Sequence, residues 1–162
     1  MKRLFLLRHA KSKHGEEYAT DAERPLAKRG KRDAKRMGKA AQERGWVPAL
    51  IISSPAKRAR QTATRFAKAA GYELEIQHTA SIYMEGTGGI LDAIQAAGAE
   101  VDSVMVVGHN PDLETLASWL TKEEVNLKTA TLACIDLPVD AWAKAGERNG
   151  ELVAVLSPKD LD

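Results

Sequence analysis

Three short runs constrain the fold of this chain more than any other feature. Leu4-Phe-Leu-Leu7, Ala49-Leu-Ile-Ile52 and Ser103-Val-Met-Val-Val107 are almost wholly apolar. A strand with no polar alternation is one buried on both faces, as happens when helices cover both sides of a sheet. The segments between them supply such helices. Ala34, Met37, Gly38 and Ala41 form one stripe over about residues 26–44, with Gly45 as its stop. Ala59, Ala63, Phe66, Ala67 and Ala70 share a face over about 56–70, closed by Gly71. Ile90, Leu91, Ile94 and Ala97 mark a third helix ended by Gly98, and Leu113, Leu116, Ala117 and Leu120 a fourth. Residues 73–77 alternate like an edge strand, and two further strands follow near 130–137 and 151–156. The class is α/β: a three-layer α/β/α sandwich with a mostly parallel central sheet. At 162 residues it is expected to form a single domain, 1–162.

Composition narrows the partners. The net charge of +2 from 24 basic and 22 acidic residues gives no reason to expect a nucleic-acid partner. Residues 28–44 hold eight Lys/Arg against two acids, the pattern of a helix with a solvated basic face. The single cysteine, Cys134, excludes an intrachain disulfide and reads as a small core residue. The four apolar residues before Arg8 are too few for a signal-peptide core, and no run is long enough to span a membrane. No membrane partner and a cytoplasmic location are expected.

The chemistry lies where the apolar runs stop. The first runs into Arg8-His9, the second into Ser53-Ser-Pro-Ala-Lys-Arg58, the third into Gly108-His-Asn-Pro111. In open parallel sheets ligands bind beyond the carboxyl ends of the strands, so these segments should share one rim. Two guanidinium forks match phosphate oxygens. Two imidazoles supply a nucleophile or base and a second donor near neutral pH. Asn110 is placed to cap a helix beginning at Pro111, whose free N–H groups would also meet an anion. Arg58 opposes the dipole of its helix start, a poor choice for stability alone. No HExxH or Cys/His ligand pattern accompanies the histidines, so a phosphate-type anion site without metal or cofactor is expected. The segment 11–25 is long for a structureless connection, which points to a functional loop. His14 and His78, with polar neighbours, read as exposed, and Trp46, Trp119 and Trp142 as packing residues at element ends.

Four segments, in order, resemble the histidine phosphatase (phosphoglycerate mutase-like) superfamily. They are Leu6-Leu-Arg-His-Ala-Lys-Ser12, Asp21-Ala-Glu-Arg-Pro-Leu-Ala-Lys-Arg-Gly30, Ser53-Ser-Pro-Ala-Lys-Arg-Ala-Arg-Gln-Thr62 and Val107-Gly-His-Asn-Pro111. The short length and the Arg-Pro-Leu segment are most similar to its small SixA-like phosphohistidine phosphatase subgroup. The resemblance implies a phosphoglycerate mutase-like fold. It implies His9 as the nucleophile that becomes phosphorylated, Arg8 and Arg58 as phosphoryl-binding residues and His109 as the second pocket histidine. Lys11, Ser12 and Asn110 are further candidates for lining the substrate site. Many members have glycine where this chain has Ala10, and many carry a glutamate as general acid. The candidate acid here is Glu85, in a context, Ile82-Tyr-Met-Glu-Gly-Thr-Gly88, unlike the usual acid motif. An alkoxide leaving group needs a proton donor, whereas protonated imidazole does not. The expected substrate is therefore phosphohistidine in a protein. A small phosphorylated metabolite is the alternative, and a non-catalytic phosphoprotein-binding module a further one.

Overall fold

The computed structural model describes all residues, 1–162. The chain runs β1 (Lys2–Arg8), α1 (Lys28–Glu43), β2 (Leu50–Ser53), α2 (Lys57–Ala70), β3 (Gln77–His78), α3 (Ser81–Met84), α4 (Gly86–Gln95), β4 (Ser103–Gly108), α5 (Asp112–Thr121), β5 (Leu132–Leu137) and β6 (Glu151–Leu156). The strands form one sheet in the order β3-β2-β4-β1-β5-β6. The first four in that order are mutually parallel, and β5 pairs antiparallel with both β1 and β6, so the expected mostly parallel sheet carries antiparallel pairing at one edge.

Side-chain alternation along β1 sorts the core into two layers. Leu4 and Leu6 face Ile90, Ile94, Leu113, Leu116 and Leu120 of α4 and α5. Phe5 and Leu7 face Ala34, Met37, Ala59, Ala63 and Phe66 of α1 and α2. Cys134 is in the second layer, and burial pushes its thiol up to about 11. Trp142 is fully buried and donates its indole N–H to Val101 O at 2.7 Å. Trp46 packs against Phe5 at 6.1 Å between ring centroids.

Two expectations need correction. The edge strand is only Gln77–His78, not 73–77. The Tyr72 hydroxyl accepts the Ile51 N–H at 3.1 Å and donates to Glu75 O, so a side chain occupies the edge of β2 where a longer strand would have paired. Asn110 does not cap α5. The helix begins at Asp112 after a cis Asn110-Pro111 bond, and the Asn110 amide donates instead to Leu127 O at 2.7 Å. The Leu113 N–H is bonded to His109 O, so that first-turn donor is not free for an anion.

The α1–α2 contact is close because Gly38 has no side chain. A Cβ there would overlap the Phe66 carbonyl and lie 2.9 Å from Ala69 Cβ. Gly38→Ala is expected to cost about 1–3 kcal/mol, the range for overpacking a tight contact, and to lower the thermal midpoint by several degrees. An unchanged midpoint would mean that the two helices separate freely.

Candidate active site

Strand register brings the rim together. Arg8 pairs with Gly108 across β1 and β4, and Ser53 pairs with Val107 across β2 and β4. His9, Ser54 and His109 are therefore each the first residue beyond the end of one of three adjacent parallel strands. The His9 N–H donates to Gly108 O at 3.0 Å, and the two imidazole centroids are 5.2 Å apart.

A cavity of about 280 Å³ opens here, lined by Arg8, His9, Lys11, Ser12, His14, Arg24, Arg58, His109, Asn110 and Thr129. The lining has four permanent cations, three histidines and no carboxylate. Arg8, His9, Arg58 and His109 all line it, as do Lys11, Ser12 and Asn110. Glu85 does not: it is exposed at the junction of α3 and α4.

His9 is 8% exposed and its Nδ1 lies 2.8 Å from Ala10 O. A carbonyl only accepts, so Nδ1 carries the proton and Nε2 keeps its lone pair. Burial, with help from Arg58 and Arg8, lowers the imidazole to about 4 against the opposing bond to Ala10. His109 is lowered to about 3, again mainly by burial and then by Arg58. Its Nε2 lies 2.8 Å from Ser54 Oγ, which already accepts the Ala56 N–H. The Ser54 O–H has no other acceptor, so the neutral ring accepts it at Nε2 and carries its own proton at Nδ1. That Nδ1 is buried without a protein partner, as are Arg8 Nε and Arg58 Nε. Three buried N–H donors of one cavity therefore have nothing in the protein to donate to. Buried polar groups in this condition call for an explanation, and an anionic ligand is the direct one.

The histidine phosphatase superfamily (branch 1) family model matches residues 4–82. An uncharacterized chloroplastic protein of Arabidopsis thaliana is 33% identical over 158 residues, which span 92% of this chain and 72% of its own. The crystal structure of a candidate phosphohistidine phosphatase SixA from Agrobacterium tumefaciens superposes with a TM-score of 0.83 at 30% identity, over 97% of this chain and 98% of that one. This chain belongs to the histidine phosphatase superfamily. A mycobacterial glucosyl-3-phosphoglycerate phosphatase, 15% identical with a TM-score of 0.71 over 94% of this chain and 97% of its own, shares the fold alone. Structures named for phosphohistidine and for glucosyl-3-phosphoglycerate thus both occur among those this chain resembles.

Several site residues escaped the sequence reading. Asp21, in the loop after β1, accepts from Arg58 Nη2 at 2.9 Å, from Tyr83 Oη at 2.7 Å and from Arg24 Nε at 3.0 Å, while Arg58 Nη1 donates to its main-chain oxygen. The Tyr83 hydroxyl first, then Arg58 and Arg24, hold this carboxylate far below the usual range. Tyr83 also packs edge-on to His109 at 5.2 Å. Thr62 takes the Ala10 N–H at 3.0 Å and donates to Arg58 O at 2.7 Å, linking the His9 and Arg58 backbones. His14 is exposed as expected, yet it stands at the cavity mouth against Arg24, which also donates to Ser12 Oγ at 3.1 Å. Asp21 and Arg24 lie within a segment that carried the resemblance, but nothing in their spacing shows that the loop folds back over α2.

The two buried imidazoles give this histidine phosphatase a pH signature. The unfolded chain takes up protons near 6.5, whereas the folded rings resist until about 4 and about 3. The unfolded state then binds more protons, and stability falls as pH drops from about 6.5. The thermal midpoint is expected to decline already between about pH 6.5 and 5, above the carboxylate range. Inorganic phosphate, which favours the charged rings, should reduce that decline. A flat profile over this interval would contradict the neutral assignment.

Proposed function

We propose that the protein is a phosphatase that forms a covalent phosphohistidine on His9, and that its substrate is phosphohistidine carried by a protein. The observation that carries the first part is the pairing of a neutral His9, its lone pair fixed on Nε2, with three unpartnered buried N–H donors in one cavity.

His9 Nε2 attacks phosphorus in line, forming a P–N bond as the bond to the leaving nitrogen breaks. The departing imidazole takes that electron pair and, protonated on its other nitrogen, leaves as a neutral ring. Arg8, Arg58 and His109 Nδ1 meet the charge on the equatorial oxygens, so positioning and electrostatics supply most of the rate. Water then attacks phosphorus, the P–Nε2 bond breaks, and phosphate leaves with the water's proton shared between product and solvent. Asn110 Oδ1, an acceptor without a protein partner, is suited to holding that water.

The choice of phosphohistidine follows from proton supply. No carboxylic acid lines the cavity, and the nearby Asp21 is held ionised by Tyr83, Arg58 and Arg24. An ionised carboxylate cannot protonate an alkoxide. Turnover of a phosphohistidine peptide is expected to exceed that of alkyl phosphate monoesters by about a hundredfold or more, the size of a general-acid contribution. Comparable kcat/KM values on simple alkyl esters would overturn the substrate reading and leave the His9 chemistry intact.

A further inference from the structure

The small net charge conceals a strong segregation. Helices α1 and α2 carry twelve Lys/Arg and two acids, so the rest of the chain holds twelve basic residues against twenty acidic ones. Both helices lie on one face of the sheet. Between them is a groove of about 860 Å³, lined by Lys31, Arg32, Lys35, Thr64, Arg65 and Lys68 with Ala69, and containing no acidic residue. Asp33 of α1 is buried and shared among Arg29, Arg32 and Arg36. Lys31, Lys35, Arg65 and Lys68 make no ion pair. A solvated basic helix face explains one row of cations. It does not explain two helices that turn uncompensated cations toward the same groove.

We infer that this groove is a docking surface for an acidic face or segment of the protein that carries the phosphoryl group, an inference that rests on the phosphatase reading above. Position supports it. Arg58 at the start of α2 belongs to the active site, and Arg65 and Lys68 lie seven and ten residues further on, about 10–15 Å along the helix. An extended peptide crosses that distance in about five residues. A bound chain can therefore reach both places at once, and the pairing is an intramolecular gain in effective concentration. The chemistry favours protein over the other polyanions. Neither helix has an exposed aromatic side chain on which bases could stack, since Phe66 is fully buried. The large exposed apolar residues, Met1, Val47, Leu74, Met84, Val153 and Val155, all lie off these helices, so nothing here would enter a bilayer.

The test uses peptides with one histidine phosphorylated by phosphoramidate, a Gly/Ser spacer of about six residues and a tail of glutamates or of glutamines, placed on either side. The glutamate peptide is expected to show a KM about tenfold lower at equal kcat, the combined worth of several exposed ion pairs. That preference should vanish at about 0.5 M NaCl and in Lys31→Glu/Lys35→Glu/Lys68→Glu, while phosphoramidate itself is hydrolysed equally by both proteins. The corresponding triple glutamine variant serves if the glutamate variant does not fold. Equal KM values for the two tails, or a preference retained in the variant, overturn the inference. So does tighter binding of a single-stranded DNA oligomer or of phosphatidylserine vesicles than of the glutamate tail at matched ionic strength. If neither peptide is turned over, the phosphohistidine reading fails by itself. The groove is then judged by fluorescence anisotropy of the unphosphorylated glutamate peptide, whose binding must be lost in the variant.

Discussion

Replacing His9 with alanine is expected to abolish turnover, by about 10⁴-fold or more as for other covalent nucleophiles, and to remove a phosphoryl label that wild-type protein retains. A P–N bond to imidazole survives alkali and breaks in acid, so label trapped by rapid quenching should show that pair of sensitivities and should be absent from His9→Ala. Loss of activity must be separated from loss of fold. His9 is buried and lowered to about 4, so it draws the folded state down as pH falls. Removing it should make the protein less sensitive to acid between about pH 6.5 and 5. An inactive variant with that altered stability profile would be folded and missing its nucleophile. Label that persists in His9→Ala would place the covalent chemistry elsewhere.

The second large effect is at the guanidinium groups. Arg8 and Arg58 each leave Nε buried and unpartnered while other nitrogens are fixed, Arg8 Nη1 by Leu127 O at 3.1 Å and Arg58 Nη1 and Nη2 by Asp21 at 2.9 Å. Each side chain is thus held by one end and offers the other. Alanine at either position should cost about 10²–10³-fold in kcat, the usual price of one preorganised donor. Lysine should rescue little. An ammonium is a point charge, and it cannot grip Asp21 and donate to a phosphoryl oxygen from the two ends of one plane. Asp21→Asn is the informative companion. It keeps the shape and weakens the grip on Arg58, so a smaller loss is expected, together with partial recovery at high phosphohistidine-peptide concentration. A lysine variant at position 58 with near wild-type kcat would show that bulk charge, and not the fork, does the work.

The fold was legible where burial decides it. Leu4–Leu7 and the runs at 49–52 and 103–107 show no alternation because helices cover both faces, and each is a central or near-central strand. Legibility failed at the edge. Residues 73–77 alternate correctly, but the Tyr72 hydroxyl occupies the hydrogen-bonding position on β2, a tertiary event with no local signal. The site divides the same way. His9, His109 and Arg58 stand directly after apolar runs, so the geometry of parallel sheets gathers them. Asp21 is carried by a loop pinned by the Ser12–Leu26 bridge and by Leu26 N–H to Gln61 Oε1 at 2.8 Å, the latter a contact across thirty-five positions, and Tyr83 meets it from α3; no periodicity encodes either approach. Glu85 was attractive for its residue type, and its place beyond α3 leaves it outside the cavity.

The bond from His9 Nδ1 to Ala10 O joins the proposed nucleophile to the main chain of its own neighbour. No codon change can delete a carbonyl oxygen. A mutational scan would therefore report position 10 as a purely steric site, tolerant of small residues and intolerant of large ones because Ala10 is fully enclosed. The choice of which ring nitrogen keeps its lone pair would leave no trace in such a scan. It is written into the polymer rather than into the side chains, and only backbone chemistry, such as an ester in place of the following amide, could edit it.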